Sequence, residues 1–233
     1  MVRLRLIVLA VFAAFAVSAL ASATASASKG EFVKQSNKTG LVKGQFTATS
    51  GETLLETKSG TKIACKTDVA LGTITSATGG EQTVRFKTCT SSAIACKSIT
   101  PSQVGASGEV IVLTELKVEK MSLGDDTVAN TILNAGTKTA GTLHIECSGI
   151  QIQVQGGFYG NAIPVNTKTA ALSVALTATG GVKVGLKAGE QKVLTNEAGE
   201  VKHLEAKIEA GVFEAASQEG TETLHLLEEG EFV

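Results

Sequence analysis

Apolar and polar residues alternate along most of this chain with the two-residue period of a β-strand, and glycine-bearing turns interrupt the alternation. The pattern predicts strands over residues 41–49, 53–57, 61–66, 70–75 and 82–88, separated by turns such as Ser50-Gly51, Lys58-Ser59-Gly60 and Ala77-Thr78-Gly79-Gly80. Residues 109–121 are the longest candidate. Val110-Ile111-Val112-Leu113 is apolar on both faces, as in a central strand, and Leu116 and Val118 then alternate with Glu115, Lys117 and Glu119. Asp125-Asp126 marks a turn, a less regular piece runs to Gly136, and strands follow over 142–147 and 150–154. Residues 169–177 and 182–187 predict a hairpin across Ala178-Thr179-Gly180-Gly181.

The C-terminal part reads two ways. Val201, Leu204, Ile208 and Val212 have helical spacing, yet Leu204, Ala206 and Ile208 also alternate with Glu205, Lys207 and Glu209. Gly199 and Gly211 bracket a strand-sized segment, so strand is the reading taken for 201–217. Glu31-Phe32-Val33 recurs as Glu231-Phe232-Val233, each after a glycine, and both read as edge strands. Many short strands without long helices predict an all-β fold, an antiparallel β-sandwich with a β-barrel as the alternative. Residues 28–165 form the main β domain, and 166–233 are C-terminal hairpins packed on it.

One segment breaks the alternation. Arg3 and Arg5 precede a continuous apolar run from Leu6 to Leu20, interrupted only by Ser18, and A-x-A patterns then end at Ala23, Ala25 and Ala27. This is the layout of a cleaved secretory signal over residues 1–27. The run is short for a bilayer span, and no second long apolar run follows, so no transmembrane segment is expected after cleavage. A membrane barrel is disfavoured because the chain has no Trp and one Tyr, too few aromatics for interfacial girdles.

Export changes the reading of the cysteines. Cys65, Cys89, Cys96 and Cys147 are even in number and contain no C-x-x-C pair, which points to disulfides rather than zinc or redox chemistry. Four cysteines allow three connectivities. Cys65 follows Ile63, and Cys147 follows Leu143 and Ile145, so both face inward. The expected pairs are therefore Cys65–Cys147, joining two sheets, and Cys89–Cys96, closing a short loop.

The formal charge of -1 becomes -3 once Arg3 and Arg5 are removed, leaving Arg85 as the only arginine. That balance argues against nucleic acid as a partner. From Glu197 onward ten glutamates face only Lys202 and Lys207, an acidic stretch read as a solvated strand face.

Candidate chemistry is sparse. His144-x-Glu146 and His203-x-Glu205 would offer four metal ligands if their strands were neighbours, but the adjacent apolar positions turn all four outward. His225, between Leu224 and Leu226, reads as a partly buried, hydrogen-bonded histidine. Asp125-Asp126 beside Gly124 and Thr127 suits a turn and lacks the ligand spacing of a calcium loop. Gly156-Gly157-Phe158-Tyr159-Gly160-Asn161 precedes Pro164 rather than a helix, so it reads as close packing or a bend between strands, not a phosphate loop. G-x-S-x-G, H-E-x-x-H and S-x-x-K motifs do not occur, and any triad aspartate must come from Asp68, Asp125 or Asp126. No catalytic, cofactor-binding or metal-ligating residue is assigned, and no cofactor is expected.

Several features together resemble a group of secreted proteins of unknown function from soil actinobacteria. The residues that carry the likeness are Cys65, Gly72-Thr73-Ile74, Val84-x-Phe86-x-x-Cys89, Cys96 and Cys147. Gly157-x-x-Gly160-x-x-x-Pro164-x-Asn166, Gly189-x-Gln191 and Val212-Phe213-Glu214 continue it. The resemblance implies a secreted, β-rich, disulfide-bearing module and brings no activity, cofactor or catalytic residue with it. The expected function is a non-enzymatic β module that binds or structurally supports the cell envelope, with an envelope polymer or protein as partner. The alternatives are a secreted hydrolase with an acidic site and a released inhibitor-like factor. Oligomeric state is not encoded in these patterns.

Overall fold

The computed structural model describes residues 32–34, 40–41, 44–123, 126–134, 142–163, 169–175 and 203–232. The signal segment, residues 182–187 and Asp125 lie outside the described residues. Everything regular within them is strand. The first third holds β1 (Phe32–Lys34), β2 (Gly40–Leu41), β3 (Gly44–Ser50), β4 (Thr53–Thr57), β5 (Lys62–Cys65) and β6 (Thr67–Ser76). Next come β7 (Gly79–Lys87), β8 (Thr90–Ser91), β9 (Ile94–Ser98), β10 (Glu109–Leu123) and β11 (Asp126–Asn134). The remainder holds β12 (Leu143–Cys147), β13 (Ile150–Ile163), β14 (Thr169–Ala175), β15 (Leu204–Ile208), β16 (Glu214–Glu219) and β17 (Thr221–Phe232).

Two antiparallel sheets share this set. In the first, β3, β6, β7, β10, β11, β13, β14 and β17 pair in that order, and β17 returns to β3, closing an eight-stranded barrel. Closure leaves these strands no free hydrogen-bonding edge. The second sheet runs β4, β5, β8, β9, β12, β13, β15 and β16, with β16 paired back to β4. Its weakest link is β5 to β8, a single bridge between Ala64 and Thr90. The all-β class therefore stands, in two sheets, with the larger one taking the barrel form.

β13 belongs to both sheets, and the hand-over falls at Gly156. Its φ is +87°, a left-handed conformation that a β-carbon disfavours, and the His203 carbonyl lies against the face where that carbon would sit. The same carbonyl accepts the Gly157 N–H at 3.0 Å. The glycine cluster thus serves close packing at a bend, which lies within one strand and not between strands.

Inward-facing positions follow the two-residue period. Phe46, Ala48, Ala70, Ile74, Val84 and Leu224 fill the barrel, while Leu55, Ile63, Leu143, Ile145, Ile152 and Leu204 fill the second sheet. Gly72 is the cross-strand partner of Phe46, and the Phe46 ring occupies the space a β-carbon at Gly72 would need. Because that ring is rigid and 1 % exposed, Gly72→Ala is expected to destabilise the fold by about 1–3 kcal/mol through overpacking, read from denaturant midpoints. Wild-type stability in Gly72→Ala would show that the ring can move aside.

Several expectations change. Residues 126–134, read as irregular, are a regular strand held on both edges by β10 and β13, so pairing rather than alternation defines it. β14 likewise has both edges occupied, by β13 and β17. The described parts of the two terminal strands pair with each other, Phe32 opposite Phe232 and Val33 opposite Glu231.

The disulfides join Cys65 to Cys89 and Cys96 to Cys147, not the pairs expected from sequence. The cysteines do face inward, as Cys65 and Cys147 are buried. However, they stand on four successive strands or strand ends, β5, β8, β9 and β12, in the order Cys65, Cys89, Cys96, Cys147. Cys65 and Cys147 are three strand spacings apart, about 14 Å, beyond the reach of a disulfide. Each bridge instead joins nearest neighbours, with Cα separations of 4.0 and 4.2 Å.

Candidate functional site

Inside the barrel, the apolar filling gives way to a polar cluster at the end nearest the second sheet. Ser50, the last residue of β3, is the cross-strand partner of both Asp68 on β6 and Glu222 on β17. All three share the inner face with Ala48, Ala70 and Leu224, two residues away on the same strands. Gln82 and Thr114, partners on β7 and β10, also face the interior. Exposure is 4 % for Asp68, 6 % for Glu222 and 3 % for Gln82.

Ser50 Oγ donates to Asp68 Oδ2. Asp68 Oδ1, Glu222 Oε1, both amide atoms of Gln82 and Thr114 Oγ1 are buried without a hydrogen-bond partner. Loss of water pushes the Glu222 carboxyl up to about 8, and the neighbouring Asp68 adds to the rise. The Gln82 amide lies close enough to oppose that shift, though not in hydrogen-bond geometry. Burial also raises Asp68, against the lowering effect of the Ser50 hydroxyl and backbone. The cluster thus encloses two carboxyls beside unpartnered amide and hydroxyl groups. Its carboxyls are too enclosed to meet a polymeric substrate.

Sequence reasoning missed this cluster, since Glu222 belongs to the acidic stretch read as a solvated face. The signal was present in the alternation of Glu222 with Leu224 and Leu226, which puts the carboxyl on the leucines' side. The same alternation turns His225 outward, where it is exposed rather than partly buried.

The two His-x-Glu pairs do not converge. β12 and β15 flank β13 instead of each other, so His144 stands opposite Gln153 and Glu205 opposite Gln155. Glu146 pairs with Lys97 at 3.7 Å, and Glu205 accepts the Gln155 amide at 2.9 Å. These are partly solvated contacts on a polar outer face. Among the described residues, no group of three or more His, Cys, Asp or Glu is placed to hold a metal. Asp68 is oriented by Ser50, yet His203 and His225 are exposed, so no serine triad forms with either.

A small apolar cavity of about 70 Å³ lies between the two sheets, lined by residues such as Leu55, Ile63, Val84, Phe86, Leu143 and Leu204.

The outer face of the barrel carries a second feature. The pairing registers align Thr223, Thr49, Val69, Arg85 and Ile111 in one row across β17, β3, β6, β7 and β10. The adjacent row reads His225, Thr47, Leu71, Thr83 and Leu113. Val69 is 45 % and Leu71 62 % exposed at the centre, with Thr49 and Arg85 beside Val69 and Thr47 and Thr83 beside Leu71, while Ile111 at the end of the first row is buried. Arg85 beside them reaches Glu109 at 3.4 Å, where Lys87 also binds. These cations and the Ala106 N–H hold the Glu109 carboxyl below its usual range.

Among the described residues, no helix is long and apolar enough to cross a membrane. Comparison with protein-family models, curated proteins and solved structures finds no match to this chain.

Proposed function

We propose that this protein is a secreted, non-enzymatic β module that binds the cell envelope through the outer face of its barrel. The observation that carries the reading is the two-row array centred on Val69 and Leu71. It combines exposed aliphatic side chains with flanking threonine hydroxyls on a closed, rigid support. Such a face suits a repetitive polymer or a flat protein surface, because its strand spacing is fixed by backbone pairing and costs little ordering on binding. Two disulfides suit an oxidising compartment, and the N-terminal segment has the layout of an export signal. Enclosure of Asp68 and Glu222 favours binding over the hydrolase alternative.

Co-sedimentation of the disulfide-bonded protein with isolated envelopes tests this. Wild type is expected to leave the supernatant, and Val69→Lys with Leu71→Lys is expected to weaken the association about tenfold or more. Both positions are exposed, so the variant keeps the wild-type unfolding midpoint within error. A wild-type protein that stays in solution, or a double variant that sediments equally, removes the proposal.

A further inference from the structure

We propose that the interior cluster of Asp68, Glu222 and Gln82 is a binding site for a hard divalent cation of the calcium class. Two strands deliver its acidic half. Ser50 on β3 stands between Asp68 on β6 and Glu222 on β17, so both carboxylates enter the barrel at one level. Ser50 occupies Asp68 Oδ2 and leaves Asp68 Oδ1 free, while Glu222 Oε1 is also unpartnered.

An independent group points into the same space from the other side. Gln82 is 3 % exposed, its amide lies against the Glu222 carboxyl, and neither amide atom has a partner. Its carbonyl oxygen is a neutral ligand of the kind calcium takes beside carboxylates, and Thr114 Oγ1 on the paired strand is a further unpartnered oxygen. Buried polar atoms left unpaired are rare in folded proteins and mark a missing partner.

The donor set selects the ion. Every atom of the cluster that can ligate a metal is oxygen, the Gln82 amide nitrogen being a donor only, which favours calcium or magnesium over zinc or copper. Two carboxylates match a double positive charge, and their mutual repulsion becomes attraction to a shared ion. The ligands come from three different strands without a preset octahedron, which favours calcium, whose coordination is irregular, over magnesium.

The test uses the full disulfide-bonded chain, stripped with a chelator, in mildly alkaline buffer. Equilibrium dialysis with calcium is expected to find one ion per chain, and saturating calcium to raise Tm by about 5–10 °C. Magnesium is expected to do much less. Glu222→Gln and Asp68→Asn are each expected to weaken calcium binding about 10- to 100-fold. Asp125→Asn with Asp126→Asn should leave it unchanged. Absence of bound calcium in wild type overturns the proposal. So does a response that persists in Glu222→Gln and Asp68→Asn, or one that is lost only in the Asp125/Asp126 variant. The wild-type dialysis stands even if a variant folds poorly.

Discussion

Peptide mapping of the oxidised protein is expected to recover Cys65 joined to Cys89 and Cys96 joined to Cys147, and removing either bridge to destabilise the fold substantially. The bridges close sequence separations of 24 and 51 residues. Restricting the unfolded chain over those loops is worth about 3 kcal/mol and about 4 kcal/mol respectively. Either is a large share of the roughly 5–15 kcal/mol that separates a typical folded domain from its unfolded chain. The two losses should differ in kind. Cys96 and Cys147 are direct cross-strand partners on β9 and β12, whose ladder survives without the bridge. Cys65 and Cys89 flank the contact between β5 and β8, where one bridge, Ala64 to Thr90, is the only pairing. Alanine at Cys65 and Cys89 is therefore expected to lower global stability somewhat less, yet to open the second sheet locally. Denaturant unfolding reads the first effect, and faster hydrogen exchange around β8 reads the second. A Cys65–Cys147 peptide, or a loss below about 1 kcal/mol on removing both bridges, would contradict this arrangement.

The wrong pairing expected from sequence shows what alternation conveys and what it omits. Period-two alternation assigns a face, and it correctly turned Cys65 and Cys147 inward. It carries no information about strand order, and order decides which inward cysteines meet. The barrel closure was equally hidden, because it depends on β17 finding β3 across more than 170 residues of chain.

Alternation also fails where both faces are apolar. On β6 the larger residues Val69 and Leu71 face out, while Asp68, Ala70 and Gly72 line the interior. Size complementarity explains the inversion. Phe46 on β3 fills the barrel only if its partner on β6 is a glycine, and that register fixes the face of every other β6 residue. Once it is fixed, Asp68 must be buried, and β17 brings Glu222 to the same level. The candidate site was therefore half legible. Glu222 could be read from Leu224 and Leu226, but Asp68 follows only from how Phe46 packs.

The stability of the chelated protein is expected to fall as pH rises from about 4.5 to about 8, and Glu222→Gln to abolish most of that fall. Glu222 has an ordinary value of 4.5 and is pushed up to about 8 in the folded chain by burial and by Asp68. The folded state therefore holds this proton more tightly than the unfolded state does. Below about 4.5 both states are protonated and the contribution is complete. Between the two values the unfolded chain has lost its proton while the folded one retains it, so stability declines with each step in pH. Above about 8 the carboxylate is ionised in both states and the decline ends. The total is on the order of a few kcal/mol, since each unit of separation is worth about 1.4 kcal/mol in the limit of full burial. Glutamine has nearly the same shape and no charge, so Glu222→Gln should match wild type in acid and exceed it above about pH 8 by most of that amount. Glu222→Ala should not, because it leaves a cavity and removes the group facing Gln82. Asp68→Asn removes the neighbouring charge, lowers Glu222 and narrows the window. Urea unfolding from acid to alkaline pH, in chelator so that only the proton competes for the site, measures all four proteins. If wild type and Glu222→Gln run parallel throughout, Glu222 reaches water in the folded protein, and the enclosed cluster on which both the proton and the cation depend does not exist.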